Sequence, residues 1–128
     1  MDTRATIETI LDQAYAARRS HDADAAAALF APDGHFAANG APPARGRAEQ
    51  VTAMRTIFDA FAVVDFREHC RLIDPPRAVV HWSATFRARN GRLGQADVLD
   101  LIEVRGGKIA ALTTFFDTAY AAALSAPA

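Results

Sequence analysis

Cysteine occurs once in this chain of 128 residues, at Cys70, and lysine once, at Lys108. A single thiol cannot close an intrachain disulfide, so covalent staples play no part in holding the fold. No apolar run approaches a bilayer-spanning length, because each is broken by Arg, Asp or Pro within about ten residues, and a membrane role is not expected. Charge of one sign is also missing. Fourteen basic residues stand against fifteen acidic ones, for a net charge of −1. The arginines are scattered, which argues against nucleic acid as a partner. No Gly-x-Ser-x-Gly elbow or phosphate-cradling glycine loop occurs, and Cys70 has no neighbouring constellation for nucleophilic catalysis. No histidine pair has metal-ligand spacing along the chain, and His69 and Cys70, being adjacent, face opposite ways in a strand, so no metal is expected. The opening MDTRATIETI carries acids and lacks an apolar core of signal-peptide length, which leads us to expect a cytoplasmic protein.

What is present reads as one domain over residues 1–128, long enough to bury a core without help. Ile7, Ile10, Leu11, Ala14 and Tyr15 recur at helical spacing from Thr3 to about Ser20, with Thr3 as N-cap. A short second helix is expected from Asp22 or Asp24 to Phe30, stopped by a turn at Pro32-Asp33-Gly34. After a brief extended piece at His35 to Ala38, two prolines and two glycines make residues 39–46 a rigid loop, suited to form a lip over a pocket. Arg47 to Phe61 resumes the helical period. Strands are then expected at Phe66 to Ile73, Ala78 to Arg89, Gln95 to about Arg105 and Lys108 to Phe116, with turns at Asn90-Gly91 and Gly106-Gly107. Thr118 to Leu124 reads as a short terminal helix or a tail.

This order predicts an α+β domain: a curved antiparallel sheet with three helices on its concave face, enclosing a cone-shaped pocket. Strand alternation puts Ala96, Val98, Asp100, Ile102 and Val104 on one face, which makes Asp100 a carboxylic acid in an apolar wall. Burial there disfavours the ionised form. The opposite face carries Leu99 and Leu101, and the strand at Ala78 reads as apolar on both faces through Val79, Val80, Trp82, Ala84 and Phe86. A homodimer through the outer sheet face is the simplest cover.

Three stretches carry a family resemblance: His21-Asp22-Ala23-Asp24 to Leu29-Phe30-Ala31-Pro32-Asp33, Pro42-Pro43-Ala44-Arg45-Gly46, and the closing hairpin from Leu101 through Gly106-Gly107 to Phe115-Phe116-Asp117. With the element order, they make the chain resemble the nuclear transport factor 2-like superfamily, and within it the ketosteroid isomerase-like and SnoaL-like polyketide cyclase branch. The resemblance implies that Asp100 falls at the protonated oxyanion-hole aspartate of the isomerases, and Tyr15 at or beside their oxyanion tyrosine. Their general-base aspartate has no counterpart, since Ala38 falls there with Asn39 beside it. His81 and Ser83 share a strand face, which the resemblance turns toward the pocket, so His81 becomes the replacement base. The epoxide-hydrolase chemistry of the superfamily is not expected, because its arginine and two aspartates would fall on His81, Ser83 and Thr114.

The expected catalytic set is therefore Asp100, Tyr15 and His81. The expected pocket wall is Phe36, Ala38, Asn39, Met54, Phe58, Phe61, Ser83, Val98, Leu112, Thr114 and Phe116. The implied function is a cofactor-independent isomerase or cyclase acting on a lipophilic ketone through its enolate. Two alternatives stay open: a non-catalytic carrier or sensor of a small lipophilic molecule, and a homo-oligomeric assembly domain.

Overall fold

The computed structural model describes residues 2–39 and 41–127. Helix α1 spans Arg4–Arg19. The Thr3 side chain accepts a hydrogen bond from the Thr6 N–H at its start, and Arg18 and Arg19 stand in its last turn, where cations suit the helix dipole. Helix α2, Ala23–Ala28, is capped in the same way by Asp22. The remaining elements are β1 (Phe30–Ala38), β2 (Ala44–Arg45), α3 (Gly46–Ala60), β3 (Phe61–Asp74), β4 (Arg77–Ala88), β5 (Leu93–Arg105), β6 (Lys108–Phe115) and α4 (Thr118–Ser125).

The described strands form a sheet in the order β2-β1-β6-β5-β4-β3. Strands β3 to β6 are the antiparallel meander that the turn signals predict, and β1 joins it parallel to β6. Inward residues of β4 (Val80, Trp82, Ala84, Phe86) and β5 (Val98, Asp100, Ile102, Val104) alternate with outward ones along both strands. Register sets Val80 opposite Asp100 and Trp82 opposite Val98.

Several boundaries differ from the sequence reading. Pro32-Asp33-Gly34 is no turn, since β1 runs through it with a shift of register between Phe30 and His35. The irregularity accommodates a proline that has no N–H for the ladder. Gly34 is required by close packing: a Cβ there would lie 2.8 Å from the Ile109 carbonyl oxygen. The rigid loop contains the two-residue β2, paired with His35 and Phe36. Strand β3 starts at Phe61, not Phe66, because it follows α3 without a connection. Trp82 faces inward with the rest of its apolar row, so the outward apolar surface comes from Leu72, Leu99, Leu101 and Phe115 instead.

One end of the concave side is closed. Ile7, Leu11, Val80, Ile102, Val104 and Ile109 are each at most 1% exposed there. Beyond Asp100 the inward row of β5 shrinks to Val98, Ala96 and Gly94, and this taper leaves room that the helices do not fill. Among the described residues no helix is long and apolar enough to cross a membrane.

Helix α3 is fastened by Gln50, 1% exposed, whose Nε2 donates to the Gly34 carbonyl at 2.6 Å. Replacing Gln50 by Leu keeps the volume and orphans that carbonyl. We expect a loss of about 1–3 kcal/mol in urea denaturation, whereas an unchanged midpoint would show that water reaches Gly34.

Candidate functional site

Asp100 lies in the β5 wall, 5% exposed, at the point where the packed core gives way to open space. Its Oδ2 accepts two hydrogen bonds, from the Tyr15 hydroxyl at 2.6 Å and from the Trp82 indole N–H at 2.8 Å. Tyr15 reaches it from the last turns of α1, and Trp82 from the neighbouring strand β4. Its Oδ1 is sealed from solvent and has no partner among the described residues. Thr114 stands opposite Asp100 on β6, and its hydroxyl favours the ionised carboxyl without reaching hydrogen-bond geometry.

Burial raises the Asp100 pKa above the ordinary carboxylate range, against the pull of Tyr15, Thr114, Trp82 and the Arg18 charge. Tyr15 is pushed well above its usual value, first by burial and then by the carboxyl beside it, so it remains a donor. Arg18, one turn beyond Tyr15, is lowered to about 10 by burial, with Asp100 acting in the opposite direction. It stays a cation at neutral pH. The Phe58 and Phe86 rings lie 4.6 and 5.5 Å from its guanidinium carbon.

The cavity has a volume of about 130 Å³. Of the expected wall, Phe36, Met54, Phe58, Phe61, Val98, Leu112, Thr114 and Phe116 line it, together with Asp100 and Tyr15. Ala38, Asn39 and Ser83 do not. The Ala38 methyl is half-buried beside β6 and forms no part of the wall. Asn39 is engaged elsewhere, its Oδ1 accepting from the Phe116 N–H at 3.2 Å.

His81 and Ser83 are corrected more fundamentally. They alternate with Trp82, and because Trp82 points inward they lie on the convex face. His81 therefore cannot be the pocket's base. Its Nε2 lies 3.1 Å from Asp97 Oδ1, and its ring centre lies 4.7 Å from that of His69, tilted by 37°; the His69 Nε2 lies 2.7 Å from Ser83 Oγ. A register shift in β3 between Glu68 and Cys70 brings His69 there, so ligand atoms of His69, His81 and Asp97 lie within 4.8 Å of one another. Spacing along the chain does not reveal this grouping.

Arg18 and Trp82 are the polar members of the site that the sequence reading missed. The signals were present: Arg18 follows Tyr15 by three on one helix face, and Trp82 shares a strand face with Val80 and Phe86. The mouth is closed by α4, not by the proline loop. Leu124 and Tyr120 lie over Gly94, where a Cβ would come within 2.7 Å of both. Asn90 donates to the Leu124 and Ala126 carbonyls. Asp117, capping α4 through the Tyr120 N–H, is spent on that role.

The SnoaL-like domain model matches residues 11–112. The chain belongs to the SnoaL-like domain family. Among curated proteins, none matches it in sequence. Solved structures show the same fold for this SnoaL-like chain at low identity. A nuclear transport factor 2-like protein from Burkholderia xenovorans is 21% identical, with a TM-score of 0.82 over 98% of this chain and 99% of that one. One of unknown function from Burkholderia pseudomallei is 18% identical, with a TM-score of 0.83 over 95% and 98%. A protein of ketosteroid isomerase-like fold from Catenulispora acidiphila, solved with trimethylamine, is 15% identical, with a TM-score of 0.80 over 91% of each chain.

The raised Asp100 pKa has a consequence for stability. Stability drawn from the neutral acid is complete below the unfolded value, about pH 4, and is lost as pH rises through the folded value. Asp100→Asn keeps an oxygen for Tyr15 and Trp82 and cannot ionise. We expect the Tm of the wild type to fall relative to this variant as pH is raised from 5 to 9 in thermal melts. Parallel curves would mean that the folded and unfolded values coincide.

Proposed function

We propose that this SnoaL-like protein catalyses proton transfer on a small enolisable carbonyl compound, without a cofactor. The observation that carries the reading is the asymmetry of Asp100, whose side chain lines the cavity: Oδ2 accepts from both Tyr15 and Trp82, and Oδ1, enclosed in the empty protein, has no protein partner. A carboxyl held this way works through one atom. Ionised, Oδ1 accepts the proton from the carbon next to a carbonyl, leaving an enolate. It then returns that proton to a second carbon, as an isomerase requires, or to the oxygen of an attacked carbonyl, as an aldol cyclisation requires. Neutral, it donates to the enolate oxygen. Tyr15 is then a positioning residue, because its hydroxyl is already directed at Asp100. The cavity volume suits one ring with small substituents; a comparably sized apolar cavity holds benzene. The reading narrows from lipophilic ketones in general to monocyclic ones, with larger substrates requiring α4 to move.

Acetophenone in D2O tests this directly. We expect the wild type to speed exchange of its methyl protons, followed by NMR, and Asp100→Asn to lose about a hundredfold or more of that acceleration. Tyr15→Phe and Trp82→Phe are expected to be impaired less. Binding of acetophenone with no exchange would favour the second reading, a carrier of small lipophilic molecules. That reading draws on the wall itself, which is otherwise apolar except for Arg18, Thr114 and residues at the mouth.

We also infer a homodimer through the convex face. Leu99, Leu101, Leu72 and Phe115 are each more than 40% exposed there, and register joins Leu99 to Phe115 and Leu101 to Val79 across neighbouring strands. Leu101→Glu is expected to sediment as a monomer with the cavity intact; a wild type that already sediments as a monomer would refute the interface.

A further inference from the structure

We propose that the ligand of this cavity carries a carboxylate, and that Arg18 binds it. The inference rests on the carbonyl reading above and adds a second recognition point to it. Arg18 Nη1 is sealed from solvent and has no hydrogen-bond partner among the described residues, although the side chain forms part of the cavity wall. The rings of Phe58 and Phe86 lie near the guanidinium, but an aromatic face gives no in-plane acceptor for the N–H groups at its edge. Neither acidic residue of the wall supplies one. Asp100 makes no ion pair with Arg18 within 4 Å, and Asp117 caps α4. Arg18 keeps part of its surface exposed, but a cation partly desolvated against aromatic rings without a counter-ion is costly, and an anionic oxygen from a ligand offsets that cost. Carboxylate matches the planar guanidinium fork better than any neutral acceptor.

The geometry also orients the ligand. Residues three apart on a helix are neighbours, about 5–6 Å between Cβ atoms, so Arg18 and the Tyr15–Asp100 pair stand side by side on the same cavity wall. The Trp82 and Phe86 rings, 6.1 Å apart, line the path between them. A ring with its carbonyl toward the Asp100 carboxyl and its carboxylate toward the Arg18 guanidinium addresses both groups at once, each side chain turning its enclosed polar atom toward the ligand. The substrate class is therefore a small, enolisable aromatic or cyclic keto acid.

The probes are 3- and 4-acetylbenzoate, each compared with its carboxamide by isothermal titration calorimetry. We expect the wild type to bind at least one acid about tenfold or more tightly than the matching amide. Arg18→Met is expected to erase that preference while still binding the amide, and Arg18→Lys to keep part of it. Arg18→Met should melt at or above the wild-type Tm, since it removes an unpartnered buried N–H. Equal binding of acid and amide by the wild type, a preference that survives Arg18→Met, or an equal loss of both ligands in that variant would each overturn the proposal. So would failure of all four compounds to bind. Acetophenone exchange separates this from the carbonyl reading: exchange that depends on Asp100, with no acid preference, rejects the role of Arg18 and leaves that of Asp100 standing.

Discussion

The structure turns on a carboxyl group that is buried and hydrogen-bonded on one side only. Two donors converge on Asp100 Oδ2, one from α1 and one from β4, and neither belongs to the strand that carries the acid. Each contact fixes a relation that the fold depends on. The Tyr15 bond locks the rotation of α1 in the concavity, because a turn of the helix by one residue would withdraw the phenol. The Trp82 bond requires β4 and β5 to keep the register that sets Trp82 opposite Val98, since a slip of one residue would send the indole to the outer face. A site built this way sits on rigid elements and leaves the remaining oxygen without a protein partner.

The space beside Asp100 comes from a gradient of side-chain size. The β5 row runs from Val104 and Ile102 through Asp100 to Val98, Ala96 and Gly94, so the same inward face that is close-packed at one end is hollow at the other. Helix α4 closes the hollow without being buried itself. It has no buried residue and is held by its cap and by hydrogen bonds from Asn90 to its last carbonyls. An element with so little apolar anchoring opens at low cost compared with the strands beneath it. The route into the cavity therefore passes α4 more readily than the sheet.

Much of this was legible in the sequence where the signal was periodic. Alternation alone placed Asp100 with Val98 and Ile102, and the helical period placed Tyr15 with Ile7 and Leu11. Parity is only relative, however. Alternation says that His81 and Ser83 share a face; it does not say which face, and the resemblance chose the wrong one. Trp82 could have decided it, since a large apolar ring between two polar residues belongs inside. The grouping of His69 with His81 depends on an irregularity in β3 that no periodic pattern announces. Pro32-Asp33-Gly34 has turn chemistry, yet it lies within a strand because pairing with β6 continues past it. Arg18 was missed for a different reason. Placed beside Arg19 in the last turn of a helix, it has a sufficient local explanation in the helix dipole, and only the tertiary structure shows that its Nη1 is enclosed.

The two unpartnered atoms then invite one physical question. Arg18 and Asp100 carry complementary chemistry on one cavity wall, and a direct ion pair between them would satisfy both. The fold withholds that pair: Tyr15 and Trp82 hold the carboxyl, and Phe58 and Phe86 flank the guanidinium. Closing the pair would neutralise the site and leave neither group free for a ligand. Keeping it open costs stability in the empty protein, because an acid with an idle oxygen and a cation with an idle N–H are both desolvated without full compensation. A ligand that brings an acceptor to one and a carbonyl to the other recovers that cost. Under the proposed reading, the separation of Arg18 from Asp100 makes the empty cavity a less stable state than the occupied one, and affinity then depends on a ligand that reaches both ends.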